Sequence, residues 1–185
     1  FDLTLKLYPD GTNSQHLEKL SIGETIGVSG PWPPMPKTRR PGKFVNLVAF
    51  GVGMTEIYHV AKAELQHGDA EMVTVLYANR YKEDAFFGDE LKELQETYGK
   101  ERFRLVYMYS REEDGVGDMK GRVDPHVLKE VFSLPMPGQP NHDEQRFIIV
   151  GSKSMIASTW NHLRRFGYDI NNHVLFSLDR FGSRK

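Results

Sequence analysis

The spacing of apolar residues changes character near residue 43. Before it, Phe1 to Tyr8 alternates apolar and polar side chains, the pattern of a half-buried strand. Pro9-Asp10-Gly11 has turn chemistry, and Ser14 is placed to cap a short helix carrying Leu17 and Leu20. Ile22 to Gly30 returns to extended structure, with Gly23-Glu24 as its turn. Pro31 to Gly42 is too rich in proline for a helix or a central strand. It is predicted to be a stiff connector, dividing the chain into residues 1–42 and 43–185.

Beyond the connector, strand and helix patterns alternate. Phe44 to Phe50 is a continuous apolar run, as expected of a strand buried on both faces. Met54, Ile57, Tyr58, Ala61 and Leu65 follow at helical spacing. Met72 to Tyr77 predicts a second strand, and Asp84 a cap for a helix presenting Phe87, Leu91, Leu94 and Tyr98. Phe103 to Tyr109 predicts a third. Asp124-Pro125 opens a helix with the stripe Val127, Leu128, Val131. Leu134 to Gln145 is a proline-rich loop, and Phe147 to Val150 a fourth strand. The last helix carries Met155, Ile156, Thr159, Leu163 and Phe166 and stops at Gly167; Val174 to Phe176 closes the sheet. Such alternation predicts an α/β fold with a doubly wound parallel sheet and ligands at the strands' C-terminal ends.

Composition narrows the function classes. The chain is 39% hydrophobic and 26% charged with a formal net charge of −1, so bulk charge gives no reason to expect nucleic acid or an anionic membrane as partner. No apolar run approaches the ~18 residues of a membrane-spanning helix. There is no cysteine, hence neither disulfide nor thiolate chemistry. The seven histidines show no metal-ligand spacing, so no metal is expected, and no Ser-His-Asp set has support from spacing.

The candidate chemistry gathers at Gly51-Val52-Gly53. Glycines let a ligand approach the main chain, and the first amides of the following helix are unpaired beside a positive dipole end. A nucleotide phosphate suits such a turn; so does a tight strand-to-helix turn with no ligand at all. The dinucleotide pattern G-x-G-x-x-G is not met, because Glu56 stands at the third glycine's place. Arg80, Lys82, Arg111, Lys120 and Arg122 fall in loops on the same ligand edge, where most are expected to be merely solvated.

Several short segments in a fixed order resemble the ferredoxin reductase-like flavoproteins, most closely NADH-cytochrome b5 reductase and its nitrate-reductase relatives. Tyr8-Pro9-Asp10-Gly11-Thr12-Asn13-Ser14 is similar to the family's Gly-Lys-Met-Ser segment, which binds the FAD pyrophosphate. Ile22-Gly23-Glu24 with Gly30-Pro31 resembles the end of the antiparallel FAD-binding β-barrel, so residues 1–42 are expected to be its last part and the connector. Gly51-Val52-Gly53-Met54-Thr55 stands where the family has Gly-Gly-Thr-Gly-Ile-Thr-Pro. By that resemblance Thr55 is the catalytic-site residue beside the flavin ring, and Gly51 and Gly53 line the nicotinamide pocket. Leu76 to Arg80 with Glu83-Asp84 resembles the second nucleotide-contacting strand and loop. Gly151-Ser152-Lys153-Ser154-Met155 takes the place of Cys-Gly-Pro-Pro-Met, and Phe176 lies near the aromatic residue beside the flavin.

The resemblance implies an FAD-dependent oxidoreductase that passes electrons from NAD(P)H to a haem or iron–sulfur partner such as cytochrome b5. The implied cofactor-binding residues are Gly11, Thr12, Asn13, Ser14, Gly51, Gly53, Thr55, Ser110, Arg111, Gly151, Ser152, Met155 and Phe176. FAD would be held only together with upstream sequence, because the flavin-stacking Arg-x-Tyr-Ser/Thr segment lies before Phe1. Ser110-Arg111-Glu112 is similar to the Ser-Arg-Glu of plant-type ferredoxin-NADP reductases, which favours NADPH over NADH. Departures give a second expectation, a degenerate, non-catalytic subunit of a larger assembly. Val150 replaces the reductases' cysteine, Phe50 a glycine and Glu56 a proline, and Ser177 to Lys185 runs past the aromatic terminus. A cytoplasmic or organelle-associated location, at the mitochondrion or endoplasmic reticulum, is implied by the family alone.

Overall fold

The computed structural model describes residues 4–28, 42–169 and 173–176. The chain divides into two compact units, residues 1–38 and 39–185. Among the described residues of the first, the one regular element is the helix α1, Thr12–Glu18. The strands expected over residues 1–8 and 22–30 do not form a ladder among the described residues 4–28. Leu5, Leu7, Ile22, Ile26 and Val28 are exposed instead. Alternation prepares one face for burial, but a strand exists only against a partner strand. Trp32, the rest of the connector up to Pro41 and the tail from Ser177 lie outside the described residues.

The second unit is built on six strands. These are β1 (Phe44–Phe50), β2 (Met72–Asn79), β3 (Phe103–Tyr109), β4 (Met119–Lys120), β5 (Gln145–Val150) and β6 (Val174–Phe176). They form one sheet in the order β4-β3-β2-β1-β5-β6, and every pairing is parallel. The helices are α2 (Met54–His67), α3 (Gly88–Tyr98), α4 (Pro125–Phe132) and α5 (Lys153–Arg164). Side-chain alternation shares β1 between two cores. Val45, Leu47 and Ala49 pack with Met54, Ile57, Ala61 and Leu65 of α2 and Leu91 and Leu94 of α3. Val48 faces the other way, among Val127, Leu128 and Val131 of α4 and Ile156 and Leu163 of α5. Helices therefore cover both faces, and the sheet is doubly wound. Trp160 is a packing residue at the second core.

The boundaries differ from expectation at three points. Helix α3 begins at Gly88, not under an Asp84 cap; its N-cap residue is Phe87 in a left-handed conformation (φ 61°), and Lys82–Asp84 forms a separate 3-10 turn. The phenol of Tyr77 accepts from the Phe86 amide at 3.3 Å, which holds that turn short of the helix. Strand β5 starts at Gln145, within the expected loop, because both polar residues at its head find buried partners. Asn46 Nδ2 donates to Gln145 Oε1 at 2.7 Å, and Arg146 Nη2 lies 2.7 Å from Glu64 Oε2. Strand β4, two residues long, has too little pattern to be read from sequence. Asp124 does cap α4, its Oδ1 accepting from the Val127 amide at 2.8 Å.

Candidate functional site

Because the strands are parallel, their C-terminal ends share one rim. The 3-10 turn Gly51–Gly53 follows β1, Gly151 follows β5, Arg80 follows β2, Ser110-Arg111 follows β3, and Phe176 ends β6. From β1 the chain winds outward through β2 and β3, then returns to β5 on the other flank. The strand order thus reverses between β1 and β5, and ligands of open α/β sheets bind in the crevice at such a point.

The glycines of this rim have different jobs. A Cβ at Gly53 would lie 2.6 Å from the Val150 carbonyl oxygen, and one at Gly151 would lie 2.8 Å from the Phe50 ring. These two let β1 and β5 end in close contact. Gly51 is held at φ +53°, and a Cβ there would meet nothing nearer than Asn79 Oδ1 at 3.9 Å. So of the three it is Gly51 that leaves open space at the rim. Asn79 is 8% exposed, and neither Oδ1 nor Nδ2 of its amide has a hydrogen-bond partner among the described residues. A buried acceptor without a partner costs free energy that a donating ligand would recover. Sequence pattern did not single out Asn79 as a site residue, since it is one more polar residue at a strand end.

Thr55 is half-buried and its hydroxyl donates to the Val52 carbonyl at 3.0 Å, leaving its oxygen available only as an acceptor. Ser152 caps α5 by accepting from the Met155 amide at 3.4 Å. Met155, in the first turn, is 44% exposed on the rim. The Ser110 amide donates to Asn79 O at 3.1 Å and the Arg111 amide to Arg80 O at 2.9 Å, so the two exposed arginines stand on adjacent chains. Lys120 was expected among the cations of this edge, but its ammonium is hydrogen-bonded to Asp114 at 2.7 Å. That contact holds the Asp114 carboxyl below its ordinary range.

In the first unit, Gly11 is the N-cap of α1, and no side chain caps the helix. Ser14 lies inside the first turn and does not take the capping role expected of it. The first intrahelical bond runs from Gln15 N to Gly11 O at 2.9 Å, so the amides of Thr12, Asn13 and Ser14 have no intrahelical acceptor. With no acidic residue in that turn, the segment fits an anion.

Three phenols line the sheet toward β3. Tyr77 and Tyr107 lie with ring centroids 5.9 Å apart, and Tyr107 stacks on Tyr109 at 6.2 Å. Burial raises all three above the ordinary tyrosine value, Tyr109 to about 12. A cavity of about 380 Å³ opens along the β3 edge, lined in part by Phe103, Leu105, Asp118 and Val131. It lies away from the rim and carries none of the candidate residues. His162 is half-buried in α5, and His142 and His173 are buried side by side near Asp143.

A doubly wound sheet with a glycine turn and an open acceptor at its switch point defines a nucleotide-binding domain. The chain belongs to the oxidoreductase NAD-binding domain family, whose family model matches residues 47–160. Residues 1–35 match that of the oxidoreductase FAD-binding domain. The chain is 29% identical over 170 residues to NADH-cytochrome b5 reductase 1 of Cryptococcus neoformans, covering 91% of this chain and 58% of that protein. It is 33% identical over 141 residues to NADH-cytochrome b5 reductase 2 of Aspergillus fumigatus, covering 76% and 43%. The chain therefore spans roughly half the length of the curated relatives it matches. Its fold is that of the cytochrome b5 reductase domain of Ulva prolifera nitrate reductase, with a TM-score of 0.73 at 24% identity over 90% of this chain and 64% of that one. A ferredoxin NADP+ reductase from Neisseria gonorrhoeae shares it at a TM-score of 0.66 and 21% identity, over 92% and 71%. The NAD-binding fold of ferredoxin reductases is thus the architecture of the described residues of the second unit. Among the described residues no helix is long and apolar enough to cross a membrane.

Proposed function

We propose that this chain is the coenzyme-binding part of an FAD-dependent oxidoreductase that passes electrons from NAD(P)H to a one-electron haem carrier of the cytochrome b5 kind. In this reading residues 1–42 complete a flavin-binding domain and residues 43–185 bind the pyridine nucleotide. The observation that carries it is the rim at Gly51, where an open main-chain turn meets the partnerless acceptor of Asn79. The names of the relatives support the enzyme reading, and nothing among them favours a non-catalytic subunit.

When bound, FAD and NAD(P)H supply the hydride and single-electron chemistry, and the protein supplies binding and orientation. The amides of Thr12, Asn13 and Ser14, with Gly11 before them, are suited to a flavin pyrophosphate. Gly51 and Gly53 give the nucleotide access to the main chain, and Thr55 Oγ1, already donating to its own turn, can only accept from a ligand. Gly151, Ser152 and Met155 form the facing side of the crevice, with Phe176 at its end. Ser110 and Arg111, beside Arg80, can donate to a ribose hydroxyl or to a 2′-phosphate, the arginine bidentately. The acceptor protein, a location in the cytoplasm or at the mitochondrion or endoplasmic reticulum, and membership of a larger complex belong to the same proposal.

Coenzyme titration is the test. A hydrogen bond to a charged group contributes ~1.5–3 kcal/mol, and each 1.4 kcal/mol is about tenfold in affinity. Arg111→Ala is expected to weaken NADPH binding roughly ten- to a hundredfold and to leave NADH nearly unchanged. Equal, unchanged affinities for both coenzymes would remove the preference for NADPH. Absence of binding of either to the wild type, together with no flavin absorbance in the protein purified from its source, would overturn the enzyme reading.

A further inference from the structure

His142 and His173 come from different segments, one just before β5 and the other just before β6, so they meet at the strand starts, opposite the coenzyme rim. Both imidazoles are buried, with 7% and 9% of their side chains exposed, whereas the Asp143 side chain is 92% exposed. One ligand atom from each of His142, Asp143 and His173 lies within 4.8 Å of the other two. The His142 ring is held by stacking on Tyr168, with centroids 4.4 Å apart and planes 9° from parallel. Its Nε2 stands 3.1 Å from the Phe166 carbonyl oxygen, which can only accept. That contact puts the proton on Nε2 and leaves the lone pair on Nδ1. Yet Nδ1 faces Asp143 Oδ1 at 3.2 Å, a lone pair against a carboxylate. A positive species between the two resolves this, either a second ring proton or a metal ion.

We propose that His142, Asp143 and His173 form a divalent transition-metal site of zinc type. A buried histidine whose second nitrogen donates to a backbone carbonyl is the usual way a metal-binding imidazole is oriented. Tetrahedral zinc with bonds of ~2.0–2.2 Å separates its ligand atoms by roughly 3.3–3.5 Å. The His142–Asp143 spacing of 3.2 Å is close to that edge, and the His173 nitrogen has up to about 1.4 Å to close. Its Nδ1, which accepts from the Asp169 amide at 3.3 Å, would exchange that contact for the metal. Nitrogen and carboxylate donors suit zinc better than magnesium or calcium. Three protein ligands leave a fourth position for water on the exposed Asp143 side. From where it stands, the metal ties the start of β6 to the start of β5. The site is structural and takes no part in coenzyme binding.

The test is titration of the metal-stripped full chain with Zn2+ by calorimetry, and with Co2+ by its visible absorption bands. The wild type is expected to bind a single equivalent and to melt at higher temperature with zinc than without. Asp143→Asn, at an exposed side chain, is expected to fold normally and to bind at least about tenfold more weakly. His142→Gln and His173→Gln are expected to lose the bound equivalent and the zinc-dependent rise in melting temperature. His59→Ala, on the exposed face of α2, is the control and is expected to match the wild type. Wild-type affinity in Asp143→Asn and in both glutamine variants, or no saturable binding by the wild type, would overturn the metal site.

Discussion

Arg146 of β5 and Glu64 of α2 form an ion pair of 2.7 Å with only 7% of either side chain exposed. Burial lowers the guanidinium below its ordinary value, but an arginine side chain stays charged in a protein. Removing one partner strands the other charge in the core, which costs about 3–5 kcal/mol. Glu64→Gln is therefore expected to lose several kcal/mol in denaturant melts, and Glu64→Leu with Arg146→Met to recover most of it. A double variant no better than the single one would mean the pair is not an isolated electrostatic unit.

The rim glycines are expected to differ in what they tolerate. Gly53→Ala brings a methyl to 2.6 Å from a backbone oxygen, which only a shift of β1 against β5 relieves. Overpacking of this kind costs about 1–3 kcal/mol. Gly51→Ala meets open space and bears only the left-handed penalty of ~1–2 kcal/mol, but it narrows the proposed coenzyme site. Thermal melts should rank Gly53→Ala as the less stable variant, while coenzyme titration should rank Gly51→Ala as the weaker binder for its stability. The opposite ranking in both would reverse the roles assigned to the two glycines.

Asp124 supplies the side-chain cap of α4, and Pro125 fixes the first helical residue. Asp124→Ala should lose about 1 kcal/mol, and Asp124→Asn or Asp124→Ser much less. Equal losses in all three would show that the capping hydrogen bond is not what stabilises this helix start.

Tyr77, Tyr107 and Tyr109 each hold their proton more tightly in the fold than in the unfolded chain, because burial disfavours the phenolate. A group with a raised folded pKa stabilises fully below its unfolded value and loses that contribution above it. Their contribution should thus be constant up to about pH 10 and fall between pH 10 and about 12. Tyr109→Phe should make this decline shallower, as measured by denaturant melts across the alkaline range. An identical decline in the variant would assign the effect to other groups.

Much of the coenzyme domain was legible because its elements announce themselves locally. Phe44–Phe50 and Phe103–Tyr109 are runs with sharp ends, and Asp124-Pro125 is a complete start signal. What was missed depends on partners distant in sequence. Gln145 and Arg146 look like loop residues until Asn46 and Glu64 are beside them. Likewise Asp84 and Ser14 look like caps, yet Tyr77 shortens one helix and Gly11 opens the other. Of the candidate residues, those at the ends of β1, β2, β3 and β5 meet at one rim. Asn79, beside Gly51 at that rim, lay within the segment Leu76 to Arg80 but nothing local marked it out from its neighbours as a site residue.

The two ends of the sheet are unlike each other in composition. The strand starts hold the buried Arg146–Glu64 pair, the Asn46–Gln145 bond, and Lys43 reaching both Glu71 at 3.1 Å and Glu144 at 3.6 Å. The opposite rim carries exposed Arg80, Arg111 and Met155 around an open turn. Exchanging those three side chains leaves the bonds at the strand starts untouched. If the proposed coenzyme site is right, its selectivity and the durability of the scaffold are consequently separate variables in this molecule, and the first can drift, or be engineered, without eroding the second.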